Sequence, residues 1–250
     1  MALELEASGL VHAYGLVTAL DGVSLQVPAG SVAALVGESG SGKTTLLRSF
    51  NRLVEPQRGT VRVGGIDVSS EKPESLRRRL GYVPQNGGLL PHWTIRRNVA
   101  LVPTLSGMAS PSSVADEALR LVGLDPGRFG RRLPRELSGG QRQRAALARA
   151  FAARQQAVLL DEPFGALDAI SRGEAHEAFE RVRSELGFTG LLVTHDLAEA
   201  ARLADQVVVM RQGRVEQAGF VRDLQRAPAT PYVAQLFERA RAAHSALADQ

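Results

Sequence analysis

The stretch GESGSGKTT, from Gly37 to Thr45, indicates the fold more strongly than any other part of the sequence. It satisfies the pattern G-x-x-x-x-G-K-[ST] and lies between an apolar run, Val32–Val36, and a segment of helical character, Thr44–Leu53. Glycines let backbone N–H groups of such a loop point inward and cradle phosphates, and the helix start adds positive potential. The alternative is a glycine-rich turn without a ligand, which the strand and helix around the loop disfavour. We predict a phosphate-binding loop made by Gly37, Glu38, Ser39, Gly40, Ser41, Gly42, Lys43, Thr44 and Thr45.

Two side chains of this phosphate loop suit a nucleotide bound together with a magnesium ion. Lys43 can reach the β and γ phosphates, and the Thr44 hydroxyl can ligate Mg²⁺. The loop therefore predicts binding of a nucleoside triphosphate with its metal ion.

Two further apolar runs, Ala157–Leu160 and Leu191–Val193, resemble Val32–Val36 in lacking polar alternation. Such runs are typical of strands buried on both faces of a parallel sheet. Each is followed by polar residues: the phosphate loop, the pair Asp161–Glu162, and Thr194–His195. Ligands of open parallel sheets bind beyond the carboxyl ends of the strands. We therefore expect the three runs to bring polar groups to the same edge of one sheet.

The segment AVLLDEP, Ala157–Pro163, places two carboxylates at the end of a buried strand. Burying carboxylates is costly unless they serve a cation or a proton. Asp161 is the candidate Mg²⁺ holder, and Glu162 is the candidate general base for the attacking water. An apolar run ending in Asp-Glu is weak evidence alone, but a phosphate loop upstream strengthens it.

A second candidate anion site is the segment LSGGQ, formed by Leu137, Ser138, Gly139, Gly140 and Gln141. Ser138 is a good helix N-cap, and residues Gln141–Arg154 favour a helix. An ordinary helix start is the alternative interpretation. If it binds an anion, one chain carries two phosphate-binding helix starts.

The rest of the chain suggests an α/β fold with added subdomains. Leu3–His12, Gly22–Val27 and Thr60–Val63 have strand character and turn signals, which predicts an antiparallel β subdomain beside a mixed, mainly parallel core sheet. Between about 95 and 150 the pattern is helical, with a clear helix at Ser113–Val122. We predict one domain over 1–240, with a helical subdomain inserted at about 90–155, and a short tail over 241–250.

Composition excludes several classes of protein. The 250 residues are 44% hydrophobic and contain no cysteine, so neither a disulfide framework nor a thiolate metal site is possible. No apolar run is long enough for a membrane helix, and no signal peptide is evident. The net charge of +4 comes from scattered arginines without a basic stripe, so we expect no nucleic-acid partner.

These motifs, in this order, resemble the nucleotide-binding subunit of an ABC transporter from about residue 4 to 240. The resemblance implies a P-loop NTPase fold of ABC type, with ATP and Mg²⁺ as cofactors. Tyr14 resembles the aromatic that stacks on adenine. Gln85, in GYVPQ, matches the Q-loop glutamine, which contacts Mg²⁺ and the attacking water. Asp168, in Ala166-Leu167-Asp168, matches the D-loop, and His195 matches the switch histidine on the γ-phosphate.

Each of these residues has a plainer interpretation when taken alone: a strand-edge aromatic, a polar loop residue, a strand-end histidine. In the family, ATP lies between the phosphate loop of one subunit and the LSGGQ segment of another. The resemblance therefore implies a head-to-tail pair of ATPase subunits, with either identical or different chains.

The resemblance also implies the kind of transporter. Separate ATPase chains are typical of bacterial importers, so we expect membrane permease subunits, an extracytoplasmic solute-binding protein, and a peripheral location on the cytoplasmic face of the inner membrane. Residues 51–103 and 161–172 are similar to ATPases of osmoprotectant importers for glycine betaine, carnitine and choline. Taurine-type, nitrate-type or amino-acid solutes remain alternatives, as does a soluble ATPase acting on nucleic acid or ribosomes. Larger osmoprotectant ATPases carry CBS domains, which we do not expect after the final helix, predicted at Pro231–Ala240.

Overall fold

The computed structural model describes residues 2–248 and contains ten strands and eleven α-helices over that range. The strands are β1 Leu5–Tyr14, β2 Val17–Val27, β3 Val32–Val36, β4 Arg58–Val63, β5 Ile66–Asp67, β6 Leu80–Val83, β7 Ala157–Asp161, β8 Thr189–Val193, β9 Gln206–Arg211 and β10 Arg214–Gly219. The helices are α1 Lys43–Ser49, α2 Pro73–Arg79, α3 Ile95–Val99, α4 Leu101–Leu105, α5 Pro111–Leu121, α6 Pro126–Phe129, α7 Gly139–Phe151, α8 Ala169–Leu186, α9 Leu197–Leu203, α10 Val221–Arg226 and α11 Pro231–Ala248. Two 3₁₀ turns lie at Val68–Ser70 and Pro134–Glu136.

The chain divides into two compact units. The strand-rich unit comprises residues 4–70 and those from 190 onward, and the helix-rich unit comprises residues 71–189 with the start of the chain. The strand-rich unit holds an antiparallel sheet of order β2-β1-β4-β5. It also holds the order β10-β9-β3-β8, in which β3 runs parallel to both of its neighbours and β10 runs antiparallel to β9. The predicted antiparallel strands and mixed sheet are thus confirmed.

One face of β3 and β9 is covered by the helices that follow β8. Its core is built from aliphatic and aromatic side chains, each less than a tenth exposed, at Ala34, Val36, Leu197, Ala200, Val207, Val209, Leu224, Tyr232, Val233 and Phe237. Burial of this apolar surface fixes α9, α10 and α11 on the sheet and stabilises the strand end from which the phosphate loop leaves.

The helix-rich unit packs its helices around the parallel pair β6–β7. All five residues of β7 are buried, as its unbroken apolar sequence predicts. Helix α7 approaches β6 so closely that a Cβ on Gly81 would lie 2.5 Å from the carbonyl oxygen of Ala150. Every regular element described between β6 and β7 is helical, over the range where the sequence predicted an inserted helical subdomain.

The carboxyl ends of three predicted helices differ from the structure by three or more residues. Helix α1 ends at Ser49 rather than at 53, since Arg52 adopts a positive φ of 55° and the backbone turns there. Helix α7 begins at Gly139 and ends at Phe151 rather than at 154, where Arg154 has a φ of 53°. Helix α11 continues to Ala248, so most of the tail predicted at 241–250 is helical, and residues 249–250 lie outside the described range. Within residues 2–248, no helix is both long and apolar enough to cross a membrane.

Candidate functional site

The phosphate loop has a backbone that only glycine can adopt at two of its positions. Gly37 has a φ of +144°, and a Cβ there would lie 2.1 Å from the carbonyl oxygen of Met210. Gly42 has a φ of +101°, and its Cβ would lie 2.3 Å from the carbonyl oxygen of Ala19. Both contacts are with backbone atoms of neighbouring strands, which cannot rotate away. The loop is therefore held against the sheet in one conformation.

Lys43 lies at the centre of this loop and is only 6% exposed. Its Nζ donates to the carbonyl oxygens of Gly37, at 2.9 Å, and Glu38, at 2.7 Å, and to the hydroxyl of Ser41, at 3.3 Å. The ammonium group is thus positioned by the loop itself. A buried, hydrogen-bonded ammonium next to backbone N–H groups has the chemistry that an anion site needs.

The structure adds a support for the loop that the sequence did not reveal. The hydroxyl oxygen of Tyr232, at the start of α11, accepts a hydrogen bond of 3.1 Å from the backbone N–H of Glu38. Arg211 lies over the Tyr232 ring, 4.7 Å from its centre. No local motif marks Tyr232, because its role depends on a contact with residues almost two hundred positions earlier in the chain.

Two predicted residues lie elsewhere in the strand-rich unit. Residue His195 directly follows Thr194, whose N–H donates 3.1 Å to the carbonyl oxygen of Leu35. Because Leu35 pairs with Val193, the exposed His195 and the phosphate loop leave the sheet at the carboxyl ends of adjacent strands. Tyr14 ends β1 and is 54% exposed, and its ring makes an edge-to-face contact with His12, with the ring centres 4.6 Å apart.

The helix-rich unit holds the candidate base and its amide partner. Asp161, at the end of β7, is 2% exposed. Glu162 follows with a φ of 46°, which turns its side chain away from the strand direction. The Nε2 of Gln85 donates to Glu162 Oε2 at 3.2 Å, so the residue after β6 and the residue after β7 meet. The sequence placed both residues in one site, and the structure brings their side chains together.

Three of the predicted site residues carry oxygen atoms of the kind that magnesium prefers. Among residues 2–248, no group of three or more His, Cys, Asp or Glu side chains could hold a metal ion. Mg²⁺ is usually held by one or two protein oxygens together with substrate phosphates and water. In the helix-rich unit, the buried carboxylate of Asp161 and the amide oxygen of Gln85 are ligands of that kind. The Thr44 hydroxyl, in the strand-rich unit, has the same chemistry.

The LSGGQ segment opens α7 through a reciprocal cap. Ser138 Oγ accepts from the N–H of Gln141 at 3.2 Å, and Gln141 Oε1 accepts from the N–H of Ser138 at 3.0 Å. The predicted N-cap is thus confirmed. Leu137 is buried, at 4% exposure, while Ser138 and Gly139 are exposed. The exposed helix start leaves backbone N–H groups available to an anion from outside the chain.

Asp168 has a structural role beside this helix start. Its Oδ1 accepts from the N–H of Ser171 at 3.0 Å and so caps α8. This backbone hydrogen bond, aided by the Ser171 hydroxyl, holds the pKa of Asp168 below its usual value. A Cβ on Gly140 would lie 2.8 Å from Cβ of Ser171, so the starts of α7 and α8 touch. The LSGGQ segment and the predicted D-loop therefore lie next to each other.

Comparison with known proteins agrees with this arrangement. Residues 20–165 match the ABC transporter family. The chain is 42% identical to the glycine betaine uptake system ATP-binding protein YehX of Escherichia coli, over 94% of this chain and 77% of YehX. It is 43% identical to the carnitine transport ATP-binding protein OpuCA of Listeria monocytogenes, over 86% of this chain and 54% of OpuCA. It is 46% identical to the sulfate/thiosulfate import ATP-binding protein CysA of Mycobacterium tuberculosis, over 88% of this chain and 62% of CysA.

A solved structure gives the same result for the fold. The dimeric post-hydrolysis state of the ATP-binding cassette MJ0796, bound to ADP and Pi, is 29% identical and covers 87% of this chain and 98% of its own, with a TM-score of 0.78. The chain spans less than two thirds of the length of OpuCA and CysA. Because the family match covers more than half of this sequence, including the phosphate loop and LSGGQ, the chain belongs to the ABC transporter family as one of its ATP-binding domains.

Proposed function

We propose that this chain binds ATP with Mg²⁺, hydrolyses it, and so powers solute import through separate membrane permease subunits. The observation that carries the proposal is the contact between Gln85 and Glu162, in a chain whose phosphate loop already presents a buried lysine. A site that only bound nucleotide would need the loop but not a carboxylate paired with an amide at a strand end.

Binding is the task of the phosphate loop. Its backbone N–H groups and the ammonium of Lys43 face the β and γ phosphates, which replace the carbonyl oxygens of Gly37 and Glu38 as partners of Nζ. The exposed ring of Tyr14 stacks on adenine. Thr44, Asp161 and Gln85 would hold Mg²⁺, which would neutralise charge on the phosphate oxygens.

Hydrolysis is the task of Glu162. Its carboxylate accepts a proton from water as the water oxygen bonds to the γ-phosphorus, while the bond to the bridging oxygen breaks and ADP leaves. The Gln85 amide holds the carboxylate and the water in line. His195, at the end of β8, donates to the γ-phosphate and stabilises charge that develops there.

Two such chains share the nucleotides. The start of α7 at Ser138–Gln141, where Ser138 and Gly139 are exposed, forms the second anion site and meets the γ-phosphate held by the partner's phosphate loop. The dimeric state of the MJ0796 cassette supports this arrangement. Closing and opening of the pair is the motion that permease subunits convert into transport, at the cytoplasmic face of the membrane. The paired subunit is either a second copy or a related chain.

The solute is an osmoprotectant such as glycine betaine, carnitine or choline, delivered by an extracytoplasmic binding protein. The resemblance across residues 51–103 and 161–172 supports this choice, as do the names of YehX and OpuCA. The likeness to CysA favours a second candidate, an inorganic oxyanion such as sulfate.

The catalytic proposal is tested with Glu162→Gln. The amide keeps the shape of the side chain but cannot accept the proton, so we expect ATP binding to persist and turnover to fall about 10²- to 10⁴-fold. Glu177→Gln, at an exposed position on α8, is the matched control. Size-exclusion chromatography with ATP should show the Glu162→Gln protein as a dimer. Normal turnover in this variant would refute the assignment of Glu162 as the base.

The solute is tested in cells with and without the gene at high osmolarity. Uptake of labelled glycine betaine, choline or carnitine should fall when the gene is deleted. Unchanged uptake of all three, together with reduced uptake of sulfate, taurine or an amino acid, would refute the osmoprotectant and indicate that other solute instead.

A further inference from the structure

The turn that carries Gln85 is packed against α7, the helix that LSGGQ opens. We call Pro84–Gly88 the Q-loop turn. It is closed by a hydrogen bond of 2.8 Å from the N–H of Gly87 to the carbonyl oxygen of Pro84. Gly87 and Gly88 have φ angles of 69° and 65°, so both adopt the left-handed conformation that suits glycine.

Arg149, near the carboxyl end of α7, donates to both glycine carbonyls of this turn. Its Nη1 donates to the carbonyl oxygen of Gly88, and its Nη2 donates to that of Gly87 at 2.9 Å. Burial lowers the pKa of Arg149, yet a guanidinium stays charged in proteins and remains a donor. Two charge-assisted hydrogen bonds from one planar group fix the orientation of the turn as well as its position.

Other side chains of α7 lie beside the turn. A Cβ on Gly88 would lie 3.0 Å from Nη2 of Arg149, and one on Gly87 would lie 3.4 Å from Cβ of Ala146. The same Cβ on Gly87 would lie 3.5 Å from Oε1 of Gln143. Side chains about one helical turn apart, at Gln143, Ala146 and Arg149, therefore line one side of the turn.

The contact between Arg149 and the Q-loop turn lies close to the catalytic pair, Gln85 and Glu162. Gln85 lies two residues before Gly87, and its amide reaches Glu162 at 3.2 Å. A hydrogen bond of that length is lost if the turn moves by about 1 Å. Helix α7 thus carries the LSGGQ cap at its first residues and the support of Gln85 at its last turn.

We propose that Arg149 is a positioning residue for hydrolysis: it clamps the Q-loop turn so that the Gln85 amide faces Glu162. It thereby makes α7 a rigid link between the LSGGQ segment and the catalytic glutamine. Arg149 donates to the carbonyl oxygens of the turn and acts through Gln85. This inference rests on the proposed ATPase function and adds a residue to it.

The first experiment removes the guanidinium with Arg149→Met. We expect kcat for ATP to fall about ten- to hundredfold, because a displaced amide no longer aligns the base, while KM changes little. Arg149→Lys keeps a positive charge that can reach one of the two carbonyl oxygens at a time. Its kcat should therefore lie between that of Arg149→Met and that of the wild type. Arg144→Met is the control, since Arg144 lies on the same helix and pairs with Glu174 at 2.9 Å instead.

The second experiment asks whether Arg149 acts through Gln85. In a Gln85→Ala background, Arg149→Met should lower kcat by less than about threefold, because the amide that it positions is already gone. Equal effects in both backgrounds would show an ordinary packing role and overturn the proposal, as would a normal kcat in Arg149→Met alone. If Arg149→Met fails to fold, the same cycle is run with Arg149→Lys.

Hydrogen exchange gives a readout independent of turnover. The N–H of Gly87 should lose protection in Arg149→Met and keep it in Arg144→Met. Unchanged protection in Arg149→Met would contradict the clamp. A wild-type protein without ATPase activity would instead refute the proposed function, so the two failures are distinguishable.

Discussion

Gly140→Ala tests whether the starts of α7 and α8 must touch for the dimer site to work. Gly140 is the fourth residue of LSGGQ, and a Cβ there would lie 2.8 Å from Cβ of Ser171 and 3.0 Å from its Oγ. The hydroxyl can rotate away, but the Ser171 Cβ is fixed to the backbone of α8. The added methyl group must therefore push the two helix starts apart.

The magnitude follows from the contact distance. Carbon atoms pack at about 3.5–4.0 Å, so the helix starts must separate by about 0.7–1.2 Å. Overpacking of this kind costs about 1–3 kcal/mol, and alanine in place of glycine inside a helix returns about 1 kcal/mol. We expect a net loss of about 0–2 kcal/mol, or a fall in Tm of no more than about 8 °C.

Activity should fall much further than stability. A shift of about 1 Å in groups that must align around a phosphate can lower turnover about hundredfold. ATPase activity and ATP-dependent dimer formation are measured together with thermal unfolding. Adding Ser171→Gly removes the Cβ and Oγ atoms that the new methyl group would meet most closely. It keeps the backbone N–H of residue 171, which donates a hydrogen bond to Asp168 Oδ1. The double variant should regain activity, and a double variant no better than Gly140→Ala would refute the reasoning.

Three further predictions concern single side chains. Lys43→Ala should lose ATP binding or lower turnover by at least about 10²-fold, because it removes the ammonium that faces the phosphates; near-normal turnover would contradict the phosphate-loop assignment. Ser138→Arg should prevent the ATP-dependent dimer while leaving ATP binding by the monomer largely intact, as judged by size exclusion and nucleotide titration. Because hydrogen bonding lowers the folded-state pKa of Asp168, its carboxylate stabilises the fold at neutral pH and loses this effect as the pH falls through that lowered value. The Tm difference between wild type and Asp168→Asn should therefore stay constant near neutral pH and narrow as the pH falls below the ordinary value of 3.8, and a constant difference throughout would refute the capping role.

The sequence predicted those features of the molecule that local chemistry determines. The unbroken apolar runs that became β3, β7 and β8 were found because a strand buried on both faces needs no polar alternation. Ser138 was identified as a cap because its side chain competes for a nearby backbone N–H.

The end of one helix and the contacts between distant residues were not predicted in this way. Ala152 and Ala153 favour a helix, yet α7 stops at Phe151 because Arg154 closes a turn onto the carbonyl oxygen of Phe151. The phosphate-loop support from Tyr232 and the clamp from Arg149 have no signal in the spacing of nearby residues. Each depends on a partner that tertiary packing brings close.

The hydrogen bond from the N–H of Glu38 to Tyr232 has a consequence for how such domains are trimmed and altered. The residues that match the family end at 165, yet the phosphate loop takes one of its fixed points from the first turn of α11. An expression boundary set before residue 231 would remove that phenol together with Val233 and Phe237 from the core. A redesign of the nucleotide pocket must therefore keep the phosphate loop and the last helix together, because a change to either alters the shape of the other.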